Sequence, residues 1–364
     1  MNKILTLFAC LFSFSSFAQI GPEQGSLIII GGGGTTPDMY TTFADMMGGY
    51  DQEMIVIPTS ATPQTINLTL ERQAWINRGF SKVTVLHTTD TTIANTENFY
   101  APIQTAAGIW FGGGRQWRTI DAYKHTRTEE EFHNLLSRGG VIMGSSAGAS
   151  VQGSFLARGA EASNIPIIAP ELNHRVGFGF LKNSAIDQHA DARNRWKEMY
   201  EVIELEPQIL GFSIAEATAM FVQGNCFEVL GVGQVAVHDS TRLKDCMNPT
   251  DVCYELLSVG DFFDLENRQA GECDFTPTSV SDKISVDDLI KIHPNPAIDY
   301  INIEWKENRL TNIDISDSMG RILKSTQING FDSSPIDISN FEKGLYFITL
   351  RIDDRRFSSK FVKL

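Results

Sequence analysis

Short apolar runs alternate with longer amphipathic stretches between residue 26 and residue 220. The runs are rich in β-branched residues and mostly followed by glycine, proline, serine or threonine; they cover 27–30, 54–57, 83–86, 109–111 and 141–143. Stretches with a helical pattern, such as 70–78 and 129–138, lie between them. This alternation is typical of βα units that wind a mostly parallel sheet. In such a sheet, binding sites form at the carboxyl ends of the strands, where the glycine-rich turns lie.

The pattern changes after residue 216, where segments 221–222 and 226–237 have the character of strands and predict a β-rich end to the same domain. Polar residues that begin with Thr276 and Pro277 predict a linker at 276–287. Beyond the linker, apolar and polar residues alternate with a period of two over 300–305, 313–315, 345–350 and 357–364. That period is typical of strands. Residues 288–364 are therefore predicted to form a small all-β sandwich domain.

The N-terminal residues have the features of a signal peptide. Lys3 precedes an apolar run over 4–17, and Ser16 and Ala18 fit the small-residue pattern of a cleavage site. We therefore predict a signal peptide at 1–18 and an α/β domain at 19–275; the alternative is a buried N-terminal helix. No later stretch has the ~18 consecutive apolar residues that a membrane-spanning helix needs.

Composition bounds the partners and the cysteine chemistry. The formal net charge of −14 argues against a nucleic-acid partner, because acidic side chains leave phosphates unneutralised. Removal of the signal peptide takes Cys10 away and leaves Cys226, Cys246, Cys253 and Cys273. In an exported chain these four predict two disulfides, with three connectivities open. Four free thiols are the alternative, and a zinc site is less favoured because no C-x-x-C pair is present.

One motif predicts a nucleophile. Gly144-Ser145-Ser146-Ala147-Gly148 follows the apolar run 141–143 and leads into a stretch compatible with a helix. In a G-x-S-x-G turn the glycines remove Cβ atoms that would clash, and the serine hydroxyl is presented at the end of a strand. Ser146 alone has glycines on both sides at that spacing. The alternative is a tight glycine turn without chemistry.

A serine nucleophile needs a base and a group that orients the base. Among seven histidines, His189 stands in the most polar neighbourhood, next to Asp187 and Gln188 and close to Arg193; His174 is the competitor. Glu216 lies in a run of otherwise small and apolar residues, where a carboxylate is costly unless it is paired. We predict that Glu216 orients the base; a structural salt bridge is the alternative.

Two glycine runs follow predicted strands. The first, 112–114, allows a close backbone approach to a substrate and donation to an oxyanion. The second, 31–34, lacks the spacing and the acidic residue of a dinucleotide fingerprint, so we interpret it as a close-packed turn. No cofactor and no metal site is predicted.

Segments over residues 30–220 resemble, in their order, the cyanophycinases and the wider peptidase family that includes aspartyl dipeptidases. The resemblance rests on five pieces: 29–33, 111–116, 144–149, 187–189 with the arginines that follow, and 216–219. It implies an α/β fold of three layers, with helices on both faces of a mostly parallel sheet, akin to class I glutamine amidotransferases. The sequence gives no sign of oligomeric state, and a homodimer is an open expectation.

The resemblance also implies roles for single residues. Ser146 would be the nucleophile, His189 the general base and Glu216 the residue that orients the base. The oxyanion hole would use backbone N–H groups of Gly113 or Gly114 and of Ala147. The implied substrate contacts, in the region where cyanophycinases bind a β-aspartyl-arginine unit, are Gln116, Gln188 and Arg193, with Asp187 in the same motif.

Two positions depart from the family pattern. Arg115 stands where family members usually carry Asp or Asn, and Ala215 stands where they usually carry Asp. Both lie beside the predicted site. The reversed charge at residue 115 favours a substrate with more carboxylate groups.

The C-terminal segment resembles the sorting domain of the type IX secretion system. The resemblance rests on 292–297, 317–321, 343–346 and the terminal Lys363. It implies a Bacteroidetes-like source, passage through the periplasm and across the outer membrane with the secretion machinery as partner, and removal of residues 288–364. The remainder would be released or attached to the cell surface.

Three functions stay open at this point. The first is a metal-independent serine peptidase that cleaves aspartyl-linked peptides, with cyanophycin as the first candidate substrate. The second keeps the same three residues and acts on small aspartyl dipeptides. The third is a catalytically silent surface protein that binds peptides or polymers.

Overall fold

The computed structural model describes residues 20–162, 165–243, 253–273, 290–305, 310–317, 322–329, 335–352 and 355–364. The predicted signal peptide at 1–18 and the predicted linker at 276–287 lie outside these ranges. The domain boundaries therefore stay predictions.

The five apolar runs form the parallel part of a sheet. Its strands are β1 (Ser26–Ile30), β2 (Glu53–Ile57), β3 (Lys82–Val85), β4 (Gly108–Phe111) and β5 (Val141–Ser145). They lie in the order β1-β5-β4-β2-β3, and each neighbouring pair is parallel. Both faces of these strands are covered, which explains why the runs are continuously apolar instead of alternating.

Helices cover both faces of this sheet. The helices of the α/β part are α1 (Pro37–Met47), α2 (Leu68–Ile76), α3 (Thr91–Ala94), α4 (Glu97–Thr105), α5 (Gln116–Tyr123), α6 (Arg127–Ser137), α7 (Ala147–Ser150), α8 (Met199–Leu205) and α9 (Ser240–Leu243), with 3-10 turns at Pro63–Thr65 and Leu172–Arg175. Ile28 of β1 packs in one cluster with Phe43 of α1 and Trp75 of α2. Its neighbour Ile29 points to the other face and joins the cluster of α4, α5 and α6. The predicted α/β class with two helical layers is confirmed.

The remaining strands before residue 274 are β6 (Gly153–Phe155), β7 (Leu181–Gln188), β8 (Leu210–Ile214), β9 (Thr218–Gln223), β10 (Cys226–Gly231), β11 (Gln234–Asp239), β12 (Glu255–Ser258), β13 (Phe262–Asp264) and β14 (Gln269–Ala270). Strand β9 pairs antiparallel with β1 and continues the first sheet through β10, β13 and β14. The sheet is thus parallel on one side of β1 and antiparallel on the other. The β-rich segment predicted after residue 216 contributes strands to the antiparallel side.

A second sheet was not predicted from the sequence. Its order is β12-β11-β8-β7-β6, with β6, β7 and β8 parallel and the other two antiparallel. Side chains such as Ile186 and Phe212 join the same core cluster as Ile29, so this sheet packs on the α4–α6 side of the first. Helix α8 covers its other face through Met199, packed in a cluster with Ala185.

Residues 290–364 form antiparallel sheets. The strands are β15 (Ile290–His293), β16 (Tyr300–Trp305), β17 (Leu310–Asp317), β18 (Ile322–Asn329), β19 (Ile336–Asp337), β20 (Gly344–Ile352) and β21 (Arg355–Lys363). One sheet has the order β15-β16-β19 and the other β18-β17-β20-β21. Residues of both sheets share a core that includes Ile301, Ile313 and Phe361. The all-β character predicted for this segment is confirmed.

Cys226 of β10 forms a disulfide with Cys273. Cys253 is disulfide-bonded as well, and Cys246 lies outside the described residues. The prediction of disulfides is confirmed. Within the described ranges no helix combines the length and the apolar character that crossing a bilayer requires.

Candidate active site

Ser146 occupies a sharp turn between β5 and α7. Its backbone has φ 56° and ψ −114°, a combination that a residue with a side chain adopts at an energetic cost. A Cβ atom on Gly144 would lie 2.2 Å from the carbonyl oxygen of Gly148, and one on Gly148 would lie 2.1 Å from that of Phe111. Both glycines of the motif are therefore required by close backbone contacts. The Ser146 amide connects the turn to β1, because it donates a hydrogen bond to the Ile30 carbonyl at 3.0 Å.

His189 and Glu216 come from the second sheet and meet Ser146 at the end of the first. His189 follows directly on β7, and Glu216 lies two residues beyond β8. The Ser146 Oγ is 2.9 Å from His189 Nε2, and His189 Nδ1 is 2.5 Å from Glu216 Oε1. Since a carboxylate only accepts, the imidazole proton belongs on Nδ1, which leaves Nε2 free to accept from the serine. The ring is 11% exposed and the Glu216 side chain 38% exposed.

The glycine turn after β1 lies against the histidine and the glutamate. A Cβ atom on Gly32 would lie 2.2 Å from His189 Cε1, and one on Gly33 would lie 2.6 Å from Glu216 Oε2. The same turn holds both partners through its carbonyls: Gly31 accepts from the His189 amide and Gly32 from the amide after Glu216, each at 2.7 Å. The sequence predicted a close-packed turn here but not its partners. Gly32 and Gly33 are thus site residues that the sequence analysis missed, and the glycine run was their only signal.

The three residues expected to supply an oxyanion hole lie around the serine. A Cβ atom on Gly113 would be 3.9 Å from Ser146 Oγ, so this backbone passes close to the hydroxyl. The amides of Gly113, Gly114 and Ala147 donate no hydrogen bond within the described part of the chain. Ala147 is also the first residue of α7. Stabilisation of an oxyanion requires backbone N–H groups that are not already bonded to another acceptor and that lie close to the reacting hydroxyl.

Of the expected substrate contacts, two are glutamines with buried side chains. Gln116, the first residue of α5, donates through Nε2 to the Ala157 carbonyl at 2.8 Å. The Oε1 atom of Gln188 is buried and has no hydrogen-bond partner in the described ranges. A buried acceptor without a donor is unusual. Arg193 differs from both, because its side chain is exposed and makes no bond to any described residue.

Asp187, which the sequence analysis grouped with these substrate contacts, is bonded within the protein. Its side chain is fully buried, and both carboxylate oxygens accept from Arg158, at 2.6 and 2.8 Å. One of them also accepts from the Gln188 amide at 2.9 Å. Burial acts to lower the pKa of Arg158, but the hydrogen bonds and the charge of Asp187 outweigh it and raise that pKa. These bonds occupy the carboxylate, and they hold the end of β7 in place.

Arg158 was not singled out from the sequence. It lies 29 residues from Asp187, and nothing in its neighbours indicates that its guanidinium is 4% exposed. Its second ion-pair partner is Glu198, which precedes α8.

His174, the competing histidine, lies in another group. Its Nε2 is 2.9 Å from Asp121 Oδ1, and donor atoms of Asp121, Glu161 and His174 all lie within 4.8 Å of one another. In the described ranges this is the group of side chains that could hold a metal ion. Two of its three members are exposed acids, and such groups are common without an ion. It has no part in the function proposed below.

The two departures from the family pattern lie beside these elements. Arg115 is the N-cap residue of α5, and its Nη1 is buried without a hydrogen-bond partner in the described chain. Ala215 is buried between β8 and Glu216, with its carbonyl close against Gly31.

Replacement of Gly32 by alanine tests the contact with His189. Gly32→Ala is expected to slow labelling of Ser146 by a serine-directed phosphonate at least about 100-fold, because a displaced catalytic group loses its geometry. Gly34→Ala is the matched control: both residues have positive φ, 110° and 123°, but a Cβ atom on Gly34 meets nothing within 4 Å. Labelling that slows equally in both variants would contradict a specific contact.

Removal of the Asp187 charge tests the buried ion pair between Arg158 and Asp187. Asp187→Asn is expected to lower the free energy of unfolding by about 3 kcal/mol, because it leaves a buried cation without its main partner. Glu198→Gln removes the 42% exposed partner of the same arginine and should cost no more than about 1 kcal/mol. Denaturant unfolding of the variants measures both values. Equal losses of stability in the two variants would show that Asp187 is not the dominant partner of Arg158.

Comparison with known proteins agrees with the resemblance found in the sequence. The family model "Peptidase family S51" matches residues 27–230, and "Secretion system C-terminal sorting domain" matches residues 291–364. A cyanophycinase of Synechococcus elongatus is 28% identical over 269 residues, which cover 69% of this chain and 82% of that protein. A cyanophycinase of Trichormus variabilis is 25% identical over 244 residues, covering 64% and 81%.

A solved structure shows the same fold. The crystal structure of a peptidase from an acI-B1 Actinobacterium aligns with a TM-score of 0.52 at 20% identity, over 67% of this chain and 98% of that one. The family match spans the strands that carry Ser146, His189 and Glu216, and the sorting match spans the C-terminal sheets. The chain therefore belongs to peptidase family S51, a family of serine-type hydrolases, and carries a C-terminal sorting domain for export to the cell surface or beyond.

Proposed function

We propose that this chain hydrolyses aspartyl-linked peptides outside the cell, with Ser146 as nucleophile, His189 as general base and Glu216 as the residue that orients the base. One observation carries the proposal: the serine hydroxyl, the imidazole and the carboxylate form an unbroken hydrogen-bonded line, with distances of 2.9 and 2.5 Å. Such a line is what nucleophilic catalysis by serine requires.

The reaction follows from the donors and acceptors in this line. His189 Nε2 takes the proton of Ser146 as Oγ attacks the peptide carbonyl, and the imidazolium that forms is stabilised by Glu216. Free amides of Gly113 or Gly114 and of Ala147 would donate to the oxyanion. The imidazolium then protonates the leaving amine, so that an acyl-enzyme remains on Ser146. Water enters, gives a proton to His189 and attacks the ester, which frees the acid and restores the serine.

The substrate class rests on the side chains around the serine. The relatives described above are cyanophycinases, which favours a peptide with β-aspartyl-arginine units. Gln188 offers a buried acceptor and Arg193 an exposed cation, and neither has a side-chain partner among the residues that the structure describes. A peptide that supplies N–H groups and a carboxylate would satisfy both. Gln116 would contribute through the part of its amide that does not bond Ala157.

The buried Nη1 of Arg115 favours a second candidate, an aspartyl dipeptidase. An unpartnered guanidinium nitrogen fits a free carboxylate, and a dipeptide carries more carboxylate per residue than the interior of a polymer. The catalytic residues are the same in both candidates. The difference lies in where the substrate ends.

The proposed route of export uses both ends of the chain. A signal peptide at 1–18 would take the protein into the periplasm, and the domain at 288–364 would engage the type IX secretion machinery and be removed. The α/β domain at 19–275 would then act as a released or surface-attached peptidase.

Labelling with a serine-directed phosphonate tests the three roles. Ser146→Ala should abolish labelling, and Glu216→Gln should slow it at least about 100-fold, because the amide no longer stabilises an imidazolium. Glu201→Gln, which changes an exposed glutamate in the first turn of α8, is the control and should label at the wild-type rate. A folded wild type that is not labelled would favour the silent binding protein.

A substrate panel separates the two peptidase candidates. The mature protein is incubated with cyanophycin and with β-aspartyl dipeptides, and products are identified by mass spectrometry. Release of β-Asp-Arg from the polymer, with the dipeptides left intact, is the expected result, and Ser146→Ala should abolish it. Cleavage of the dipeptides alone would establish the second candidate.

A further inference from the structure

A cavity of about 250 Å³ adjoins the backbone that passes Ser146. Its lining includes Glu71 and Trp75 of helix α2, Arg78 just beyond that helix, Trp110 of β4 and Gly113 in the turn after β4. Gly113 also lies beside the serine hydroxyl, since a Cβ atom on it would be 3.9 Å from Ser146 Oγ. A peptide bound for attack by Ser146 therefore has this cavity within reach of a neighbouring side chain.

Two tryptophans form an aromatic wall of this cavity. The rings of Trp75 and Trp110 contact each other with centroids 5.0 Å apart and planes inclined at 60°. Trp75 is almost fully buried and packs further against Phe43 and Phe80, so the wall is fixed by the core behind it. Tryptophan faces attract cations through the negative potential above the ring.

Glu71 is the acid of the cavity, and none of the described residues is a partner of its carboxylate. It makes no side-chain hydrogen bond or ion pair with any residue that the structure describes. Burial raises the pKa of Glu71. Partial removal of a carboxylate from water is unfavourable unless an opposite charge or a donor compensates it. Next to a cavity lined by tryptophan, that missing partner points to a ligand with a positive charge.

Arg78 is the other charged side chain of the lining, and it contacts two residues of the same lining. Its guanidinium lies 5.1 Å from the centre of the Trp75 ring and donates to the Ala74 carbonyl at 2.7 Å. Within the described chain no ion pair joins it to Glu71. The contact shows, in addition, that the face of Trp75 accepts a guanidinium group.

We infer that this cavity binds a positively charged side chain of the residue next to the scissile bond, with Glu71 as its ion-pair partner and the two tryptophans as its walls. The inference rests on the proposed function for the position of the peptide. It goes beyond that proposal by assigning Glu71, Trp75 and Trp110 to specificity. The volume corresponds to the liquid share of about eight water molecules, which accommodates the long chain of an arginine or lysine.

Arginine and citrulline have nearly the same shape but differ in charge, so two peptides test the pocket. One contains three β-aspartyl-arginine units, and the other has citrulline in place of each arginine. Wild type should cleave the arginine peptide with a kcat/KM at least about tenfold higher, as for hydrogen bonds to charged groups. Glu71→Gln should remove this preference by slowing cleavage of the arginine peptide alone. Glu97→Gln, an acid in the first turn of α4 outside the cavity, should leave the preference unchanged.

Binding without turnover separates failure of the pocket from failure of the proposed function. In the Ser146→Ala variant, calorimetric titration with both peptides should show about tenfold tighter binding of the arginine peptide, and the added Glu71→Gln change should abolish the difference. If wild type cleaves neither peptide but binding still depends on Glu71 and on charge, the proposed function fails and the pocket stands. Equal binding of the two peptides, or a preference that survives Glu71→Gln, overturns the pocket.

Discussion

The hydrogen-bonded line of Ser146, His189 and Glu216 depends on the close approach of the glycine turn after β1 to the ends of β7 and β8. Ser146 stands on the first sheet, whereas His189 and Glu216 belong to the second, so the site exists only where the two sheets meet. The turn makes this meeting possible because Gly32 and Gly33 leave the space that the imidazole and the carboxylate fill. The carbonyls of Gly31 and Gly32 also accept hydrogen bonds from the backbone amides of His189 and Ala217. A side chain at residue 32 or 33 would push His189 or Glu216 away from this meeting point.

The second sheet needs support of its own, because His189 has a positive φ of 57° and lies at the end of a strand. The buried ion pair between Arg158 and Asp187 supplies that support two residues before the histidine. An ion pair in the interior adds little net stability, but it defines geometry, because each group has a single compensated position. This explains why the carboxylate of Asp187, two residues before His189, is directed into the protein.

How far the sequence could predict this molecule depends on whether a signal was local. The strands β1 to β5 are continuous apolar runs, and the turn at Ser146 is a five-residue motif, so both were predicted closely. Strand β7, with the sequence LKNSAIDQ, alternates poorly and carries charges that only tertiary contacts explain, so the second sheet was missed. His189 and Glu216 were chosen from their neighbours, but Arg158, Glu71 and the role of Gly32 arise from contacts between distant segments. Such contacts leave no periodic pattern in the amino-acid sequence.

The disulfide between Cys226 and Cys273 affects how the α/β part ends. Cys273 is joined to β10, and the short edge strands β13 and β14 lie within the 47-residue loop that the bridge closes. A protease that cuts anywhere beyond residue 273 therefore creates a new terminus that is already anchored to the sheet. Without the disulfide, strands as short as β14 and β13, of two and three residues, would separate from this end of the sheet. Covalent closure would therefore keep this end of the sheet in place wherever the chain is cut beyond residue 273.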